Sequence, residues 1–176
     1  MEALIGIVHV AWTVFISIYA FIISKTRGYD FYYIGYILLL VVSWLTFKDE
    51  CLITYAYKKY KNPDYVMGQD SNKLKDSEDI FGEELSHSII NIIITLTVIS
   101  IYRVSKRNNF APSYVWILFV LFLALYLLIQ RKFYAPRFYD AHLKKHNPTF
   151  RILFFAITGL YLWFLLIGGS ARKYLG

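Results

Sequence analysis

The chain has a single cysteine, Cys51, which rules out an intrachain disulfide and a CxxC metal or redox motif. Charged residues make up only 18% of it. No Lys, Arg, Asp or Glu lies in the central part of any long apolar block, which argues against a voltage sensor, a proton relay or an ion-coupled carrier. Pro and Gly do not interrupt two matching blocks, so the broken-helix transporter design is missing. There is no nucleophile elbow, no Gly-rich phosphate loop and no supported Ser/His/Asp set. Internal repeats and low-complexity tracts are also lacking.

What is present is apolar and comes in blocks. Of 176 residues, 57% are hydrophobic, and the mean hydropathy is +0.44. That balance points to a membrane chain rather than a soluble one. The blocks are long and do not alternate as barrel strands do, so they predict helices, whose backbone groups are satisfied internally. The net charge of +7 sits at the ends of these blocks, in KTRG, RVSKR, QRK, KKHNPTFR and ARK. Basic residues placed there anchor to headgroups and set topology. No separate basic face with stacking aromatics exists, so nucleic acid is not an expected partner. The start, MEALIGIVHVAW, has an acid where a secretory signal has a basic region, and reads as a retained helix.

The expected fold is all-α: a polytopic membrane helical bundle forming one domain over residues 1–176. Spans are predicted at about 3–24, 31–47, 88–102, 112–130 and 152–169. Five is the best count, with four as the fallback because the second and third are short. Pro112 suits the first turn of the fourth span, where its missing N–H costs nothing. Polar segments occupy 48–86 and 131–147, and each holds an amphipathic interfacial helix. In the first, Leu52, Ile53, Ala56, Tyr57 and Tyr60 recur at helical spacing until Asn62-Pro63 stops them. In the second, Phe138, Tyr139, His142 and Leu143 share a face. The stretch GQDSNKLKDSEDIFGEE reads as a solvated acidic loop. It is not an EF-hand, because the required glycine and closing glutamate are missing after Asp70 and Asn72.

Five spans put the termini on opposite sides. The N-terminal side, with both long segments, carries twelve Lys and Arg against seven on the other. The positive-inside count therefore assigns the N-terminus and the long loops to the cytoplasm. Eleven of the twelve acids also fall on the N-terminal side, Asp30 being the exception.

Helix phase selects stripes that lipid would reject. Gly6, His9, Thr13, Ser17, Ala20 and Ser24 form one. Ser43, Thr46 and Glu50 form another, and Glu84, Ser88, Asn91 and Thr95 a third with His87 alongside. Gly6, Thr13, Ser17, Ser43, Asn91 and Thr95 are the expected helix-packing positions, which makes the first three spans the core. The fourth span, Leu- and Phe-rich all round, should then be the most exposed to lipid. Threading the spans antiparallel brings His9, Glu50 and His87 to one end. An ionisable group two turns into a bilayer normally has a partner, and Glu50 is the partner expected for His9. Asp49 reads as a solvated shoulder.

The three residues are the candidate catalytic set, with Glu50 as general base or ligand and the histidines as ligands or proton carriers. A metal reading uses Glu84-x-x-His87 and His142-x-x-x-His146, each pair on one helix face. Both spacings are common by chance, so no cofactor is predicted and a metal ion is the minor alternative. A small oligomeric pore along Thr13 and Ser17 is a further alternative.

The stretch WLTFKDECLITYAYKKYKNPDYVMG has a Trp at a span end, then ECLITY, a Lys pair and NPDYVMG. It resembles a motif of small uncharacterised multi-pass membrane proteins of large DNA viruses and unicellular eukaryotes. The likeness covers residues 44–68, about a seventh of the chain. It implies that Trp44, Glu50, Cys51, Tyr55, Lys58, Lys59, Pro63, Tyr65 and Gly68 form a unit, and it implies no activity. The expected role is accordingly non-enzymatic: a structural or assembly component of a cellular, organellar or virion membrane. Its partners would be the bilayer and other membrane proteins or further copies of itself. A membrane-embedded enzyme using His9, Glu50 and His87 is the alternative.

Overall fold

A computed structural model describes residues 2–23, 28–48, 50–69, 75–130 and 147–167. Among them seven helices occur and no strand: α1 (Glu2–Ile22), α2 (Gly28–Thr46), α3 (Leu52–Lys61), α4 (Lys75–Phe81), α5 (Glu83–Asn108), α6 (Ser113–Gln130) and α7 (Asn147–Ile167). Asp49, the 131–146 part of the second polar segment and the basic tail lie outside the described residues. The chain is all-α.

Three helical stretches, Gly28–Thr46, Glu84–Asn108 and Pro148–Ile167, are long and apolar enough to cross a membrane. Gly6–Ile22 and Ser113–Leu127 are shorter apolar stretches. The third expected span, 88–102, extends at both ends into α5, 26 residues or about 39 Å. Two local devices set its limits. Gly82, at φ 78°, breaks α4 from α5 in a conformation that glycine adopts without penalty. At the far end Asn109 takes the left-handed conformation that closes a helix, while Lys106 and Arg107 complement its dipole. The expected acidic loop also contains a helix, α4, held to α3 where Asp79 accepts hydrogen bonds from Tyr57 (2.9 Å) and Lys61.

Helix α5 packs against α1, α2, α4 and α6, and α7 fills the groove between α2 and α6. The core joins Ile34, Leu38 and Val41 of α2 to Ile101 and Val104 of α5, Phe119 and Leu123 of α6, and Phe154, Tyr161 and Leu165 of α7. Helix α6 is therefore not the lipid-exposed outlier that its composition suggests. It buries Val115, Phe119, Leu123 and Tyr126, spaced by three or four residues, and shows Leu121 and Leu125 outside. A sequence apolar on every side has no polar face to choose an orientation. Aromatic contacts of Phe119 with Phe154 and Tyr161 choose it instead.

The bundle has two polar ends, and neutral hydrogen bonds join its helices just inside one of them. There Ser100 donates to the Ser17 carbonyl at 2.5 Å, Tyr33 donates to the Ile16 carbonyl at 3.2 Å, and Ser105 pairs with the Tyr161 hydroxyl at 2.8 Å. At that end Asp30, with no exposed surface, accepts from four donors. Arg107 grips it through Nε (2.7 Å) and Nη2, while Asn108 Nδ2 (2.6 Å) and the Tyr19 hydroxyl (3.0 Å) complete the set. That cluster ties α1, α2 and α5 together. Asp30 is thus the anchor for the basic end of α5.

A two-pronged Arg–carboxylate contact fixes geometry as well as charge. Arg107→Ala is expected to lower stability against unfolding in detergent micelles by about 3–5 kcal/mol, because it strands a buried carboxylate. Arg107→Lys, which keeps the charge and loses the fork, should fall between it and the parent. Equal stability of the parent and Arg107→Ala would show that this pair does not hold Asp30.

Candidate functional site

At the opposite end the chain leaves α2 and turns back at once. Lys48 takes the left-handed conformation (φ 53°), and the Glu50 amide donates to the Phe47 carbonyl at 3.2 Å. This turn sends Glu50 inward, where it is 1% exposed. Cys51 then starts α3, with the Tyr55 amide bonded to its carbonyl at 2.8 Å.

Three donors hold the Glu50 carboxylate. Lys58 Nζ and the Tyr65 hydroxyl both reach Oε1 at 2.8 Å, and the Gly68 amide reaches Oε2 at 2.9 Å. Lys58 is itself 6% exposed, and its ammonium also lies 5.2 Å from the centre of the Tyr65 ring. A buried charge is tolerable only when paired and hydrogen-bonded, and here it is both.

The loop that delivers Tyr65 and Gly68 is the NPDYVMG stretch. Asn62 closes α3, and its side-chain oxygen accepts from the Asp64 amide at 3.1 Å, the side-chain turn that Asn before Pro favours. The Tyr65 amide donates to the Asn62 carbonyl at 2.9 Å, and Lys59 Nζ reaches the Tyr65 carbonyl at 3.2 Å. Gly68 has φ 83°, and a Cβ there would stand 2.6 Å from Lys48 Cβ. Conformation and space both demand glycine at that position. Tyr55 packs on Tyr65, with ring centres 6.2 Å apart. Trp44 instead stacks on Tyr126 of α6 and belongs to the bundle.

This geometry redistributes the expected site. The three donors on Glu50 come from its own segment, and none is His9. The imidazole Nε2 of His9 lies 3.4 Å from the Sγ of Cys51, the next residue. The turn at Lys48 explains the exchange, because it rotates Glu50 toward the loop and leaves Cys51 facing α1. His87 lies in the second turn of α5, while His142 and His146 fall outside the described residues. Glu84 is exposed. Among the described residues no three His, Cys, Asp or Glu side chains gather as a metal set.

Of the expected packing positions, Gly6 and Ser17 are buried and Thr13 is half-buried. Ser43 and Asn91 are half-buried and Thr95 is exposed, as is Thr46 of the Ser43 stripe. The hydroxyls of Thr13, Thr46 and Thr95 bond to carbonyls of their own helices, which frees them from needing a partner helix.

Comparison with family models, with curated proteins and with solved structures finds no match. Chemistry must be read from the side chains alone. Both oxygens of the Glu50 carboxylate are engaged by its three donors. The reactive pair is Cys51 with His9. Burial pushes the Cys51 thiol up, but the His9 ring and the amide end of α3 at Ile53 and Thr54 outweigh it and hold the thiol below its ordinary value. The amides act here as the positive end of a helix, since Cys51 makes no side-chain cap hydrogen bond.

The signals for Lys58, Tyr65 and Gly68 were present in the sequence as the Asn-Pro-Asp turn and the glycine after it. Their meeting point at Glu50 required the αL turn at Lys48, which a lysine does not announce.

The pH dependence of Cys51 alkylation tests the Cys51–His9 contact. In the parent protein the rate should rise at a lower pH than for an ordinary thiol. His9→Gln should move that rise to higher pH, since it removes a group that favours the thiolate. Superimposable profiles for the two proteins would show that His9 does not act on the sulfur.

Proposed function

We propose that this chain is a multi-pass membrane protein of five spans, α1, α2, α5, α6 and α7, that acts as a structural or assembly component rather than as an enzyme. One observation carries the reading: the bundle is apolar on its outer surface as well as in its core, and it keeps polar groups inside. Large apolar side chains such as Leu39, Ile92, Leu121, Leu125, Phe155 and Trp163 face outward. Asp30, Glu50, Lys58, Ser17, Ser100 and Ser105 are buried. A bilayer rewards that arrangement, and water does not.

The same reading places the Glu50 end and the N-terminus on the cytoplasmic side, following the distribution of basic residues. It also keeps the likeness of residues 44–68 to small viral and protist membrane proteins. In support, most of that stretch folds as one unit around Glu50. A non-enzymatic role is favoured because both buried carboxylates, Asp30 and Glu50, are used up in holding helices together. The partners would be other membrane proteins or further copies of this chain.

Sided labelling tests the topology. In a Cys51→Ser background, Val66→Cys and Lys106→Cys should react with a membrane-impermeant thiol reagent from opposite faces of the membrane. Reaction of both from the same face would contradict an odd number of spans between them. Native mass measurement in membrane-derived discs tests the assembly role. A discrete complex larger than one 20.7 kDa chain is expected, and a lone chain would contradict it.

A further inference from the structure

Helix α3 wears its polarity the wrong way round for a helix facing water. At 100° per residue, Leu52, Ile53, Ala56 and Tyr60 fall within an arc of about 100°, and Thr54, Tyr57, Lys58 and Lys61 lie on the other side. In a soluble protein the first set would face the core. Here Leu52 is 46% exposed, Ile53 40% and Tyr60 63%, and Ala56 is exposed with them. Thr54, Tyr57 and Lys58 are the buried residues of the helix.

Two acids cause the reversal. Glu50 draws Lys58 inward, and Asp79 of α4 draws Tyr57 and Lys61 to the same side. The two acids fix the rotation of α3, and its apolar arc is forced outward.

We infer that this arc is the chain's docking surface for the membrane interface, with anionic lipid headgroups as the favoured contact. The inference rests on the membrane reading proposed above. Two observations select lipid over a partner protein. The first is position: α3 begins six residues after α2 ends, and the Glu50 amide turns back onto the Phe47 carbonyl between them, which keeps the start of α3 beside the end of that span. The second is charge: Lys48 and Lys59 are both exposed, and Lys59 borders the arc. Lys59 also reaches the Tyr65 carbonyl, which holds its ammonium on the loop side of the helix. An apolar arc edged by Lys59, carrying a tyrosine and preceded by the exposed Lys48, matches the chemistry of the headgroup region.

The test uses the full chain in phosphatidylcholine vesicles, with and without added phosphatidylglycerol. In a Cys51→Ser background, spin labels are placed one at a time at Ile53→Cys, Ala56→Cys, Tyr60→Cys, Asp64→Cys and, as a lipid-facing control, Leu125→Cys. Should that background fail to stay monodisperse, Cys51→Ala replaces it. Each label is read by its collisions with oxygen, which concentrates in lipid, and with a water-soluble nickel chelate.

Labels at 53, 56 and 60 are expected to favour oxygen, and the label at 64 to favour nickel. Phosphatidylglycerol should deepen the first three. Nickel access at 53, 56 and 60 with the control still in lipid overturns the inference and leaves the membrane reading standing. Nickel access at Leu125→Cys as well overturns that reading itself. Protection of the arc from both reagents means that protein covers it, which also overturns the inference. A depth that does not respond to phosphatidylglycerol overturns the headgroup preference.

Discussion

Glu50 holds its charge where water barely reaches, and the end of the bundle around it is organised by the donors that charge requires. The carboxylate needs Lys58, so α3 must turn its lysine face inward. It needs Tyr65 and the Gly68 amide, so the loop after α3 must fold back, which only glycine at position 68 allows. The turn at Lys48 that aims Glu50 inward also swings Cys51 toward His9 of α1. The rotation of one helix, the return of one loop and the location of the only thiol are consequences of satisfying one buried charge.

Polarity is graded along the bundle in a way that suits a bilayer. Ion pairs stand at the two ends, with Asp30 and Arg107 at one and Glu50 and Lys58 at the other. Between them the helices are joined by hydroxyls to carbonyls or to each other, as in Ser100 to Ser17 and Ser105 to Tyr161. Neutral hydrogen bonds cost little to bury when satisfied, whereas a charge at mid-depth is expensive and usually reserved for a task. A bundle that keeps charge to its ends and uses both buried carboxylates as clasps is built for persistence. Both carboxylates are engaged by donors from neighbouring segments.

The apolar helices could be read from the sequence because long hydrophobic runs leave little choice of structure. The stripe on α1 was legible for the same reason: Gly6 and Ser17 stand out against apolar neighbours, and they do lie inside. The face of α6 was not legible, since a helix of Leu and Phe offers the same solubility in every direction and only ring packing selects one. Thr95 lies exposed, because a threonine in a helix can satisfy its hydroxyl on its own backbone. At the site, the resemblance implies a unit from Trp44 to Gly68, whereas Lys58, Tyr65 and Gly68 gather on Glu50 and Trp44 packs on Tyr126. Pairing Glu50 with His9 failed by one residue. Helix phase was carried past Thr46 into a turn where a non-glycine residue, Lys48, has positive φ, and phase means nothing beyond such a turn.

Glu50 is a structural clasp whose partner is Lys58. A double-mutant cycle measures it most directly, with Glu50→Gln, Lys58→Met and the combined variant unfolded in the same detergent. Each single change strands one half of a buried pair and is predicted to cost about 3–5 kcal/mol. The combined variant should lose less than the sum of the two, with a coupling of about 1–3 kcal/mol. Losses that simply add would contradict the account, because they would mean that the two side chains do not depend on each other.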